Sequence, residues 1–335
     1  MPAEIGVRPF RQRFPWIGGD LQTIRDFIVR PVEPVPAAAS QTLSFEMPDG
    51  TGDTLIGIHD RPAEPVAGRP LAILIHGLTG CAESLYVRRA ARTFLEAGFS
   101  TLRLNLRGAG ASRPLCRQQY HSGRSEDLAA VIDRVLGLDG ADAVTTDDVA
   151  PDGVALVGWS LGANMLLKGA AEFGAQKGVR GAVAISAPID LMGTARNFTI
   201  LRNTAYHRHL LAAMRAEVAG VPGGLTALER DRLAAARSVI AFDDAFTAPR
   251  NGFADAADYY ARNSASGFLA RIAIPTRVIH ALDDPWIPKA GYLTVDWEAC
   301  PSVQATLTRH GGHVGFHAPG GVWSDAEAVR FLAGV

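Results

Sequence analysis

Residues 71–76 read Leu-Ala-Ile-Leu-Ile-His, apolar without a break until the closing histidine. A strand with one face in water alternates apolar and polar side chains. An unbroken run belongs to a strand covered on both faces, as in a parallel sheet. Further strand patterns recur at Phe99–Leu106, Gly153–Val157, Val179–Ser186, Ile274–Leu282 and Val303–Arg309. Helical spacing separates them at Ser84–Ala97, Glu126–Leu138 and Leu161–Phe173, near Lys289, and at Asp325–Leu332. Strands alternating with helices require right-handed crossovers. The expected fold is therefore α/β, with a mostly parallel central sheet flanked by helices.

Three segments depart from that rhythm. Residues 1–40 are rich in proline and mixed in charge, and predict an irregular N-terminal arm with little core of its own. Thr42–Met47 and Thr54–Asp60 flank the turn-forming PDGTGD and predict an antiparallel pair. Residues 189–268 are rich in alanine and arginine and read as a helical cap inserted over the sheet edge. That insertion divides the core into residues 41–188 and 269–335. One elaborated α/β domain can hold a chain of 335 residues.

Lys and Arg number 33 and Asp and Glu 34, a formal charge of −1. This balance supplies no field for a nucleic-acid partner or an anionic membrane. No apolar run reaches 18 residues, so stable membrane insertion is not expected. The first residues carry basic side chains without an apolar core of the kind a secretory signal needs. Three cysteines, Cys81, Cys116 and Cys300, make no disulfide framework, and a cytoplasmic location is expected.

Gly158-Trp159-Ser160-Leu161-Gly162 stands directly after a strand pattern and directly before a helix pattern. That context is the one a nucleophile elbow needs. A serine on so sharp a turn has a strained backbone, and a Cβ two residues to either side would strike the neighbouring strand or helix. The hydroxyl needs a base. Among nine histidines, His313 follows the last strand in a glycine-rich loop, at the rim where open α/β sheets place their sites. His310 and His317 lack its offset from the strand. His76 is expected to order a loop, and His59, His207, His209 and His280 to pack or face solvent.

The base in turn needs a carboxylate. Ala281-Leu282-Asp283-Asp284-Pro285 offers two, and Pro288, four residues after Asp284, favours Asp284. Asp283 and the more distant Asp190 stay open as alternatives. An oxyanion needs two backbone donors. Leu161 N–H is one, and Leu78 N–H, in His76-Gly77-Leu78-Thr79-Gly80, is the other. Cys81 has no histidine at a telling spacing and reads as a rim or buried residue. Arg107 and His121 read as loop-ordering residues with no chemical step.

At this point the chain resembles the α/β-hydrolase superfamily. More narrowly it resembles the YheT-like branch, with its yeast medium-chain fatty acid ethyl ester synthase/esterases and mammalian abhydrolase-domain lipases. The likeness rests on the order Ser160…Asp284…His313 and on Leu21-Gln22-Thr23-Ile24, Asn105-Leu106-Arg107-Gly108, Tyr120-His121-Ser122-Gly123 with Asp127, and Ala281–Pro285. The arm departs from it, with Gly18-Gly19-Asp20 where relatives carry asparagine-proline-histidine. The membrane anchor of the animal members is not expected.

The resemblance implies a serine hydrolase of small-molecule carboxylic esters, working through an acyl-enzyme on Ser160 without metal or organic cofactor. Short- to medium-chain acyl groups are the expected substrates. Alcohol O-acyltransfer and lipase or phospholipase action would use the same triad. A non-catalytic binding protein on the same fold is a further reading. Oligomeric state is not readable from the sequence.

Overall fold

The computed structural model describes residues 8–31, 33–138 and 149–335. Its sheet is formed by β1 (Ala39–Glu46), β2 (Thr54–Arg61), β3 (Leu71–Ile75), β4 (Thr101–Leu104), β5 (Val154–Trp159), β6 (Val179–Ile185), β7 (Thr276–Ala281) and β8 (Val303–Thr308). The eight strands lie in the order β1-β2-β4-β3-β5-β6-β7-β8. β1 and β2 form the expected antiparallel pair, and β2 is also antiparallel to β4. Every pairing from β4 onward is parallel.

The unbroken apolar run of β3 is explained by what covers it. Ala72 and Leu74 pack on one face with Phe94 of α2 (Leu85–Glu96) and Phe331 of α11 (Trp323–Leu332). Leu71, Ile73 and Ile75 pack on the other with Ile132 of α3 (Ser125–Val135) and Leu166 of α4 (Leu161–Gly169). Each such fully buried side chain contributes roughly 1.5–3 kcal/mol of burial free energy. After β3 the chain goes to one side for β4 and to the other for β5. The reversal opens a crevice at the carboxyl ends of β3 and β5, where ligands of open α/β sheets bind.

Two expectations are corrected. The arm is not wholly irregular: residues Gly19–Val29 form a helix, α1, buried through Gln22 and Thr23. The helices between β6 and β7 are α5 (Leu191–Asn197), α6 (Thr204–Ala219), α7 (Ala227–Ala235), α8 (Val239–Phe242), α9 (Ala248–Arg250) and α10 (Ala256–Asn263). They arise from two interior strands rather than at a sheet edge. Residues of this insertion line a cavity together with Ser160, so it lies over the carboxyl rim.

Candidate active site

Ser160 is the single residue between β5 and α4, with φ 52° and ψ −122°. A side-chain-bearing residue in such a region costs about 1–3 kcal/mol, so its surroundings must hold it there. They do so by close contact. A Cβ on Gly158 would lie 2.8 Å from the Gly162 carbonyl oxygen, and one on Gly162 would lie 2.3 Å from that of His76. The Ser160 N–H donates to the Ile185 carbonyl at 2.9 Å, which ties the elbow to β6.

The loop after β8 brings His313 to this point. Its Nε2 is 3.0 Å from Ser160 Oγ, and its Nδ1 is 2.9 Å from Asp284 Oδ2. The other Asp284 oxygen accepts the N–H groups of Trp286 and Ile287 at 2.8 and 2.9 Å. The carboxylate is thus aimed by the turn that carries it, and its side chain is wholly buried. The Trp286 ring stacks on the imidazole at 4.6 Å, nearly parallel. A proton on Nδ1 facing the carboxylate leaves Nε2 free to accept the serine proton.

The alternatives go elsewhere. Asp283 holds His310 Nδ1 and the Gly312 N–H, each at 3.0 Å, and so braces the loop beneath His313. Asp190 caps α5, accepting the Gly193 N–H at 2.9 Å. His76 donates from Nδ1 to the Gly77 carbonyl and accepts the Leu106 N–H on Nε2. Burial depresses its pKa to about 4, which keeps the ring in the neutral form that both bonds require. Burial, reinforced by the nearby charges of Arg124 and Lys168, pushes the His121 pKa down to about 3. Its Nδ1 accepts the Gly123 N–H at 3.2 Å. Arg107 is buried among Asp53, Asp127 and Asp49. His280 stacks on Tyr292 with ring centres 3.8 Å apart.

The loop after β3 shows how a backbone donor is kept available. The Gly77 N–H donates to the Tyr86 hydroxyl at 2.8 Å, and the Thr79 N–H to the Tyr120 hydroxyl at 2.7 Å. Thr79 itself has φ 59°. Between these two tethers the Leu78 N–H has no acceptor among the described residues, and neither has the Leu161 N–H at the start of α4. Both residues line the cavity with Ser160. The Tyr120 hydroxyl donates onward to Glu217 of α6 at 3.0 Å, so the insertion helps to fix the loop. Burial raises the Glu217 pKa to about 7.

Gln22 and Thr23 hold a positioning role that sequence reasoning missed. Thr23 Oγ1 accepts the His313 N–H at 2.8 Å. Gln22 grips the same loop from both sides, its Oε1 accepting the His317 N–H at 2.6 Å and its Nε2 donating to the His317 carbonyl at 3.2 Å. Val314 N–H donates to Ser186 at the end of β6. The available signal was two polar residues set among apolar ones in a short helix.

A cavity of about 750 Å³ stands over Ser160 and His313. Leu191, Phe198, Leu210 and Val239 supply apolar wall from the insertion, and Trp159 and Ile287 from the core. No cluster of His, Cys, Asp and Glu fit to hold a metal ion occurs among the described residues.

The sequence matches the α/β hydrolase fold family over residues 70–318. The chain belongs to this family. YheT of Escherichia coli (strain K12), which carries an esterase name, is 35% identical over 281 residues, 81% of this chain and 77% of that protein. Phospholipase ABHD3 of Mus musculus is 26% identical over 76% of this chain and 60% of its own length. Medium-chain fatty acid ethyl ester synthase/esterase 2 of Saccharomyces cerevisiae is 26% identical over 74% of this chain and 58% of its own. These relatives set the α/β hydrolase in the YheT-like branch. Among solved structures, the Pyrococcus furiosus esterase Pf2001 superposes with a TM-score of 0.59 at 16% identity, covering 98% of this chain and 97% of that one. That likeness is one of fold. No helix among the described residues of this hydrolase is long and apolar enough to cross a membrane.

Proposed function

We propose that this α/β hydrolase cleaves carboxylic esters of short- to medium-chain acids through an acyl-enzyme on Ser160. The observation that carries the reading is the linear arrangement of Ser160 Oγ, His313 and Asp284, with contacts of 3.0 and 2.9 Å. Ser160 Oγ attacks the ester carbonyl carbon while His313 Nε2 takes its proton. The negative charge on the carbonyl oxygen falls between the N–H groups of Leu78 and Leu161. Asp284 stabilises the imidazolium and fixes its orientation. The C–O bond to the alcohol then breaks, and His313 returns the proton to the departing oxygen. Water repeats the sequence on the acyl-enzyme, losing a proton to His313, and the acid leaves as Ser160 is restored.

The apolar wall of the cavity supports an aliphatic acyl group, each buried methylene of which adds about 0.8 kcal/mol to binding. The esterase and phospholipase names among the relatives point the same way. Turnover of p-nitrophenyl esters from acetate to palmitate tests the reading. A maximum at short to medium length is expected, with Ser160→Ala lowering kcat by about 10⁴-fold or more. Unchanged turnover in that variant contradicts the reading.

A further inference from the structure

Helix α1 is built inside out. Its buried side chains are the polar Gln22 and Thr23, both spent on the His313 loop. Its apolar Leu21, Phe27, Ile28 and Val29 are 39, 57, 60 and 44% exposed. A helix on a globular protein ordinarily does the reverse. Next to it the cap presents Ile200 and Leu201, the latter 91% exposed. The two elements are joined by Arg202 and Tyr206, which both donate to Asp20, and by Phe27 set edge-on to the His209 ring at 5.6 Å. Their apolar side chains form one collar.

The collar surrounds the way into the active site. Of the residues that line the cavity over Ser160, the exposed ones are Phe27, Arg30 and His209. The cavity therefore opens between α1 and α6. The rim carries Arg30, which is exposed, has no carboxylate partner among the described residues and donates from Nε to the Phe27 carbonyl.

We propose that this collar docks on the surface of a lipid aggregate with anionic head groups, so that an ester passes from the lipid into the cavity without crossing water. The proposal rests on the esterase reading of the same cavity. Three features of the collar select this occupant. The exposed apolar residues are continuous with the apolar cavity wall. Arg30 at the rim complements an anionic surface. A rigid protein partner, including a second copy of this chain, would seat on Phe27, Arg30 and His209 and close the entrance, whereas a fluid lipid surface is itself the source of substrate. At 11 residues α1 is about 16 Å long and lies on such a surface rather than through it.

Flotation of the full chain with vesicles tests the docking directly. Vesicles of phosphatidylcholine with roughly one fifth phosphatidylglycerol should carry the protein upward, and pure phosphatidylcholine much less, with salt weakening the binding. The triple variant Leu21→Ser/Ile28→Ser/Leu201→Ser, none of whose positions lines the cavity, should lose flotation about tenfold or more. It should hydrolyse dissolved p-nitrophenyl butyrate like the wild type and lose turnover of a medium-chain ester embedded in the same vesicles. The proposal is overturned if the wild type stays below the vesicles or if the triple variant still floats. It is equally overturned if the wild type is a dimer that the triple substitution dissociates. Flotation needs no turnover. A protein that floats but hydrolyses nothing would refute the esterase reading alone, and one that hydrolyses dissolved ester but never floats would refute the docking alone.

Discussion

The turn that presents Ser160 is fixed within its own stretch of chain and by the strand beside it, whereas the loop that presents His313 is held by Thr23, 290 positions earlier. The first is a steric arrangement, in which Gly158 and Gly162 pack against backbone atoms with no room for a Cβ. The second is an arrangement of hydrogen bonds, from Thr23, Gln22, Ser186 and Asp283 to successive residues of one glycine-rich loop. A steric constraint fails all at once when its space is filled. A set of hydrogen bonds loses one member at a time and degrades by degrees.

Substitutions in the two regions should therefore differ in size. The largest effect is expected for Gly162→Ala. The new Cβ would meet the His76 and Ile75 carbonyl oxygens at 2.3 and 2.6 Å, and neither can retreat without shifting β3. A destabilisation of about 3 kcal/mol or more, with near-complete loss of ester turnover, should appear in thermal unfolding and in kinetics. A variant that unfolds and turns over like the wild type would remove the steric account of the elbow.

Thr23→Val comes next. It leaves the buried His313 N–H without its acceptor, a penalty of about 1–3 kcal/mol. If that penalty falls on the alignment of the imidazole, kcat drops about 10-fold or more while KM holds. A kcat within twofold of the wild type would mean that α1 does not position the base. Tyr120→Phe probes the opposite side of the site. It releases the Thr79 N–H and leaves Glu217 facing an apolar ring. Loss of a direct oxyanion donor costs about 10²–10³-fold in kcat, so loosening the loop that carries one should cost less, on the order of 10-fold.

Glu217→Gln has the smallest expected effect, read through pH. The carboxyl has an ordinary pKa of 4.5 and is raised by burial to about 7 in the folded protein. Below the ordinary value both states hold the proton and nothing is lost. As pH rises toward 7 the unfolded chain ionises freely while the folded one resists, so wild-type stability falls through that window. Glutamine does not titrate and can still accept from Tyr120. The melting temperature of the variant should gain on that of the wild type between pH 5 and pH 8, by the equivalent of about 3 kcal/mol at most. A constant gap across that range would place the Glu217 carboxyl in water.

The same contrast explains what could be read from the sequence. The sheet was legible in the unbroken apolar runs of β3 and β5, where burial on both faces leaves no polar position, and in the strand–helix alternation around them. β4 is shorter than its alternating pattern, with Phe99 and Leu106 buried outside Thr101–Leu104. The surroundings of Ser160 were legible because the glycines that permit the turn are its near neighbours. Proline after Asp284 separated it from Asp283, and the two carboxylates do turn to different histidines. The role of α1 was not legible. A helix with glutamine and threonine inside and phenylalanine and isoleucine outside gives the wrong amphipathic signal, and the prolines around it read as loop. The insertion was recognisable as helical, but only the strand order shows that it rises from interior strands above the site.

The proposed catalysis has Ser160, and no other residue, as its nucleophile. Brief exposure to a fluorophosphonate followed by peptide mass spectrometry tests it. One adduct per chain is expected, on the peptide carrying Ser160, with esterase activity falling in step with labelling. An adduct on a different residue, or full labelling of Ser160 with turnover undiminished, would contradict it.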